Sequence, residues 1–107
     1  MRVLFLCSRN RLRSPTAEET FRGRAGWEVA SAGLAPDADE KLSQETLDWA
    51  DIIFVMESAH RRKLVQKFGA HLRNKRIICL DVSDDYEFLQ PELVALLTQR
   101  INAIFPP

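Results

Sequence analysis

Four short apolar runs, separated by segments with helical spacing, constrain the fold of this chain more than any other feature. Val3 to Cys7 is apolar and ended by polar residues, the pattern of a strand buried on both faces of a parallel sheet. Trp27 to Ala30, Ile52 to Met56 and Arg76 to Leu80 read as the second, third and fourth strands. Between them, Pro15 to Arg24 reads as a helix, with Ser14 as its N-cap and Pro15 at its first position, where a missing N–H costs nothing. Ser43 to Trp49 is a short helix. Ser58 to Phe68 is a basic amphipathic helix with Leu64, Val65 and Phe68 inward, closed by Gly69. Pro91 to Phe105 is a final helix whose stripe is Val94, Leu97, Ile101 and Ile104. Ser31 to Glu40, with Gly33, Pro36 and three acids, reads as a loop and the least ordered stretch; Asp81 to Phe88 reads as another. Strands alternating with helices imply βαβ crossovers. The expected architecture is one α/β domain over residues 1–107, a three-layer arrangement with a four-stranded parallel sheet and helices on both faces. In such sheets ligands bind beyond the carboxyl ends of the strands.

Composition narrows the function. The 107 residues are 46% hydrophobic, enough for one core without metal or disulfide staples. Lys plus Arg and Asp plus Glu are equal at 15 each, so no net basic field points to nucleic acid or an acidic membrane surface, and any use of positive charge must be local. Two cysteines, Cys7 and Cys79, are too few for a disulfide framework and fit a reducing cytoplasm. No run of about 18 apolar residues occurs, and the amino-terminal stretch has no small-residue cleavage pattern, so the chain reads as neither membrane-spanning nor secreted.

The chemistry gathers where the first strand ends. The loop Cys7-Ser8-Arg9-Asn10-Arg11-Leu12-Arg13-Ser14 sets a cysteine six residues before an arginine, with a strand ahead and a helix behind. That arrangement turns successive backbone N–H groups around a tetrahedral oxyanion, an anion nest. The helix behind it adds its positive end, and the planar guanidinium of Arg13 can grip two phosphate oxygens at once. A sulfur nucleophile facing bound phosphate offers a covalent route through phosphocysteine, in a reaction that asks mainly for positioning and charge stabilisation. Arginine is frequent in this chain, so the bare Cys–Arg pair is weak, and its meaning comes from the strand, loop and Ser-Pro helix start coinciding. The bland alternative is an inert buried thiol with solvated Arg9, Arg11 and Arg13.

At these residues the chain resembles the low-molecular-weight protein tyrosine phosphatases. Val3-Leu4-Phe5-Leu6-Cys7, Asn10, Arg13-Ser14-Pro15 and Ala17-Glu18 match the family's strand, Cys-x5-Arg-Ser loop and Ala-Glu helix. Ser31-Ala32-Gly33 matches its next signature, and Asp51 to Glu57 is similar to its central strand ending in Met and an acid. The resemblance implies hydrolysis of phosphate monoesters, first of all protein phosphotyrosine. Cys7 would be the nucleophile and Arg13 the phosphate ligand. Asn10 would hold an unusual backbone conformation, and Ser14 would hydrogen-bond the sulfur and ease its departure. Residues Ser8 to Ser14 would form the substrate loop. The family's general acid lies in an Asp-Pro-aromatic loop after the fourth strand. Aligning Tyr86 with the aromatic puts Asp84 on the acid and makes Tyr86 a substrate contact, while Asp85 stands where proline is usual and remains an alternative acid. Three departures matter. Arg9 replaces a loop glycine, Leu12 replaces a second loop cysteine, and the chain is shorter after Ala32-Gly33, which implies a more open cleft with Arg9 and Arg11 adding positive charge at its rim.

Two other readings stay open. One is a phosphate- or phosphopeptide-binding module that keeps the loop without turnover. The other is a relative of the arsenate reductases, which carry additional cysteines to pass on a disulfide, whereas this chain has only Cys79, read as a buried strand thiol. His60 and His71 lack partners at ligand spacing and read as surface residues, Arg61-Arg62-Lys63 as a solvated helix face, and Trp27 and Trp49 as partial core. No metal or organic cofactor is implied. The partner would be a phosphorylated protein or a small phosphate monoester, with no nucleic acid and no membrane.

Overall fold

The computed structural model describes residues 1–107. Strands β1 (Arg2–Cys7), β2 (Glu28–Gly33), β3 (Ile52–Val55) and β4 (Arg76–Cys79) form one sheet in the order β2-β1-β3-β4, every neighbouring pair parallel. The two central strands are the two uninterrupted apolar runs: residues 3–7 of β1 and all of β3 are buried. The edge strands β2 and β4 are only half-buried over most of their length.

Helices α1 (Arg13–Phe21) and α4 (Pro91–Ile104) belong with the core that contains Val3, Phe5, Phe21, Phe54 and Leu97. Helices α2 (Gln44–Trp49) and α3 (Ser58–Phe68) belong with the core of the opposite face, around Leu4, Leu6, Leu47, Ile53 and Leu64. Side chains alternate between the two cores along β1, as the two-residue period of a strand requires. The crossover leaving β1 covers one face and the crossover leaving β3 covers the other. The chain therefore divides between these two strands, and the crevice beyond their carboxyl ends is the natural ligand site of this sheet. No helix is long and apolar enough to cross a membrane.

Several local expectations are corrected. The second strand does not stop at Ala30. It runs to Gly33 because β1 offers partners to its end, with Phe5 opposite Ser31, Leu6 opposite Ala32 and Cys7 opposite Gly33. The segment that follows is no loose loop. The amides of Leu34, Ala35 and Asp39 donate to the carbonyls of Cys7, Ser8 and Arg9, and Gly33 exchanges backbone bonds with Glu40 and Leu42.

Helix α1 begins at Arg13 and ends at Phe21, with Leu12 at its N-cap position and no side-chain cap, so Ser14 is not the cap. In α4 the buried stripe is Leu93, Leu97 and Ile101, while Val94 is only half-buried. Val65 of α3 is half-exposed, the inward side being carried by His60 and Leu64. Gly69 does end α3, but in a right-handed conformation that continues into a 3₁₀ turn, Gly69–His71.

Candidate active site

The loop after β1 accounts for its backbone groups in a one-sided way. The carbonyls of Cys7, Ser8 and Arg9 accept from the 34–39 segment, and the carbonyl of Leu12 accepts from the amide and the hydroxyl of Thr16, the latter at 2.6 Å. In a trans peptide the N–H points opposite to the C=O, so the amides that follow these carbonyls are turned to the other side of the loop. No amide from Ser8 to Leu12 donates to a protein acceptor. Polar backbone groups in folded proteins are rarely left without partners, and such a run of unpaired donors is the arrangement that an anion nest requires. The first turn of α1, which no side chain caps, adds its positive end.

Close packing holds the loop in this shape. A Cβ on Gly33 would stand 2.7 Å from the Ser8 carbonyl oxygen and 2.5 Å from the Ala38 Cβ, so only glycine lets β2 approach so closely. Asn10 adopts φ 57°, a left-handed conformation that asparagine tolerates better than most residues. Its buried side chain donates from Nδ2 to the Ser14 Oγ at 2.9 Å. Because that oxygen already accepts from Asn10, the Ser14 hydroxyl proton is free for the Cys7 Sγ, also at 2.9 Å. Its only other acceptor, the Ala32 carbonyl, lies farther away at 3.5 Å. Asn10 and Ser14 thus lie beneath the loop and support it, and the cavity itself is lined by neither.

That cavity, about 530 Å³, is bounded by Cys7, Ser8, Arg9, Arg11, Leu12, Arg13, Glu57 and Asp84. Arg13 is 5% exposed, and its Nη1 donates to the Val82 carbonyl at 2.8 Å and pairs with the Glu57 Oε2 at 3.0 Å. No buried side-chain nitrogen or oxygen lacks a partner, so the remaining guanidinium nitrogens open toward the cavity, oriented by the two that hold Nη1. Glu57 was not anticipated as a site residue, although it ends the Asp51 to Glu57 segment. It sits just past β3, the neighbour of β1, and its side chain also accepts from the His60 backbone N–H in a capping box for α3.

His60, expected at the surface, is buried at 2% exposure. Its Nδ1 accepts from the Glu57 N–H at 3.2 Å, and its Nε2 lies 3.1 Å from the Ser8 Oγ. Burial, reinforced by the nearby positive charge of Arg13, pushes its pKa down to about 4.

The acid loop is attached more sparingly. Val82 is buried; its amide donates to the Met56 carbonyl at 2.8 Å, and its carbonyl receives Arg13. Two residues on, exposed Asp84 reaches the cavity wall. Asp85 points elsewhere and accepts from the Ser83 Oγ at 3.1 Å. Tyr86, expected against the substrate, packs instead on the core beneath α1 and α4 and does not line the cavity. The rim arginines are not free charges. Arg11 pairs with Asp39 at 3.1 Å and Arg9 with Asp37 at 3.6 Å, so the acids of the 34–39 segment offset them. Cys79 is half-buried on β4 and away from this cavity. No three His, Cys, Asp or Glu side chains converge at metal-ligand spacing.

Comparison with known proteins places this geometry. No family model matches the chain. A protein-arginine-phosphatase of Geobacillus stearothermophilus is 29% identical over 91 residues, covering 63% of this chain. The chain spans 62% of the length of that curated relative. Among solved structures, a low-molecular-weight protein tyrosine phosphatase from T. tengcongensis is 28% identical with a TM-score of 0.75, covering 96% of this chain and 99% of that one. Vibrio vulnificus Wzb, solved with benzylphosphonate, superposes with a TM-score of 0.78 at 22% identity, over 96% and 95% of the two chains, and attests the fold.

Proposed function

We propose that the chain, which resembles the low-molecular-weight protein tyrosine phosphatases in sequence and fold, is a cysteine-dependent phosphatase acting on phosphorylated protein side chains through a phosphocysteine intermediate. The observation that carries this reading is the run of amides from Ser8 to Leu12 without protein acceptors, in a loop whose Cys7 and held Arg13 line one cavity.

In the first step the Cys7 thiolate attacks phosphorus, the bond from phosphorus to the leaving group breaks, and the Asp84 carboxyl gives its proton to the leaving atom. The amides and Arg13 hold the three non-bridging oxygens, whose charge they stabilise best in the transition state. In the second step water attacks phosphorus, the Asp84 carboxylate takes the water proton, and the P–S bond breaks. The Ser14 hydroxyl, already oriented at the sulfur by Asn10, stabilises the departing thiolate.

Phosphotyrosine is the first substrate reading, and the similarity to a protein-arginine-phosphatase favours phosphoarginine as a second. Turnover of a chromogenic aryl phosphate, a phosphotyrosine peptide and a phosphoarginine peptide by the purified protein separates them by kcat/KM. Rapid quenching followed by mass measurement tests the shared mechanism: a phosphoryl adduct on Cys7 must form and decay. Phosphate binding with no adduct and no released phosphate would leave a binding module instead.

A further inference from the structure

Two serine hydroxyls stand in the loop, and the reaction above uses only one. Ser14 accepts from Asn10 and directs its own hydroxyl hydrogen bond at Cys7. Ser8 lies on the cavity wall in an equivalent circumstance, with its Oγ 3.1 Å from the Nε2 of buried His60. The direction of that bond is decided on the far side of the ring. The Glu57 backbone N–H can only donate, and its partner at 3.2 Å is Nδ1, so Nδ1 must be the unprotonated acceptor. A neutral ring then carries its single hydrogen on Nε2, and Nε2 donates to Ser8. With burial, Arg13 and Lys63 disfavouring the imidazolium, and Glu57 alone opposing them, the ring stays neutral at ordinary pH. A hydroxyl oxygen that accepts from His60 offers its proton away from that ring.

We propose that the Ser8 hydroxyl is a substrate-contacting hydrogen-bond donor to a phosphoryl oxygen in the cavity, and that His60 is a positioning residue that makes Ser8 a donor. The inference rests on the phosphatase reading of this site. It adds a side-chain donor to the backbone amides and links the bound phosphoryl group, through Ser8 and His60, to the Glu57 amide at the start of α3. Like Arg13, the loop is thereby tied to the end of β3.

The test uses orthovanadate as the probe, read as competitive inhibition of aryl-phosphate turnover by the full chain. Ser8→Ala should weaken vanadate about tenfold or more, the size of one hydrogen bond to a charged acceptor. His60→Asn keeps an acceptor for the Glu57 amide but loses the donor, and should weaken vanadate in the same direction. The double variant should be no worse than Ser8→Ala alone. His60→Gln, long enough to place an amide donor near Ser8, should recover most of the loss. Additive losses in the double variant would show that His60 acts through the fold and not through Ser8, and would overturn the proposal. Ring ¹⁵N spectra of the unaltered protein give a check that needs no variant: a protonated Nε2 with a bare Nδ1 is required, and the opposite tautomer sinks the idea. If the unaltered protein neither turns over aryl phosphate nor binds vanadate, the phosphatase reading itself fails. If it does both and Ser8→Ala behaves identically to it, only this inference fails.

Discussion

The floor and the wall of the cavity are built to different standards. In the floor, the loop from Cys7 to Ser14, three successive carbonyls are held from outside, Asn10 and Ser14 are bonded underneath, and Arg13 is fixed by two acceptors. The wall that carries Asp84 is held by the amide and carbonyl of Val82 on one side and by the packing of Tyr86 on the other, and between them Asp84 and Asp85 are both exposed. The proposed reaction accounts for the difference. Oxyanion stabilisation gains most when donors are fixed before the reaction, because no reorganisation is then needed. A proton donor must meet leaving groups of different shapes and tolerates a looser mount. Val82 joins the two regions, so the Arg13 guanidinium also positions the base of the loop that carries Asp84.

The sharpest test of this contrast separates binding from chemistry within the floor. Cys7→Ser should abolish measurable turnover while vanadate or phosphate binding survives, because the amides and Arg13, not the sulfur alone, make the nest. Undiminished turnover in Cys7→Ser would refute the mechanism. Arg13→Lys should be severe in both binding and rate, since an ammonium cannot satisfy Val82 and Glu57 and still grip two oxygens. A near-normal rate there would mean that the loop is not what holds phosphate.

The wall should give a large but graded effect. Removing a general acid typically costs roughly 10²–10⁴-fold, so Asp84→Asn should lower turnover by that order, whereas Asp85→Asn, away from the cavity, should do markedly less. The Asp84 defect should shrink with an ester whose leaving group is already a good anion and grow with phenyl phosphate. Single-turnover measurement is needed so that phosphocysteine breakdown does not mask the first step. A leaving-group-dependent loss in Asp85→Asn and not in Asp84→Asn would exchange the two roles.

What could be read from the sequence divides along similar lines. The sheet, its parallel strands and the Cys7, Asn10 and Arg13 positions were legible because strand, loop and helix follow one another in the chain, so local pattern encodes them. Glu57 and His60 were not, because they arrive from β3 and α3 through sheet register; Ser8 and His60 are 52 residues apart. The sequence reads His60 as a surface residue for want of a partner at ligand spacing, a rule for metal sites that does not bear on a histidine held by a loop hydroxyl and a backbone amide. Ser14 misled in the opposite way, since the Ser-Pro pair is a sound cap signal but the Cys7 sulfur and Asn10 claim its hydroxyl. The 34–39 segment looked loose from its Gly, Pro and acidic residues, yet its amides clamp the floor. Gly33 carried a signal of that clamp, a glycine at the end of a strand where another backbone comes close.

Gly33→Ala probes the clamp directly. The added methyl would meet the Ser8 carbonyl at 2.7 Å, and backbone cannot move aside as a flexible side chain does. The cost should be about 1–3 kcal/mol of stability, the usual range for forcing a group into packed structure, together with weaker vanadate binding because the loop must shift. Urea unfolding and inhibition assays measure the two. A stable variant with unchanged affinity would show that the floor is less tightly determined than its hydrogen bonds indicate.

The smallest effect concerns the junction of floor and α3. In the folded protein, burial and then Arg13 hold the pKa of His60 at about 4, with Glu57 opposing and Lys63 adding to the depression, while in the unfolded chain it lies near the ordinary 6.5. Between those two values the unfolded chain binds a proton that the folded protein does not, so falling pH favours unfolding. The contribution is complete above about pH 6.5, is lost progressively as pH drops toward 4, and changes no further below that. His60→Gln removes this titration while leaving every other group in place, so the difference between the two proteins isolates it. The urea midpoint of the unaltered protein should fall more between pH 7 and pH 5 than that of His60→Gln. Parallel declines would mean that the ring protonates as readily in the folded protein as in the unfolded chain, and that the bond from the Glu57 N–H to Nδ1, which requires an unprotonated Nδ1, does not hold the ring neutral.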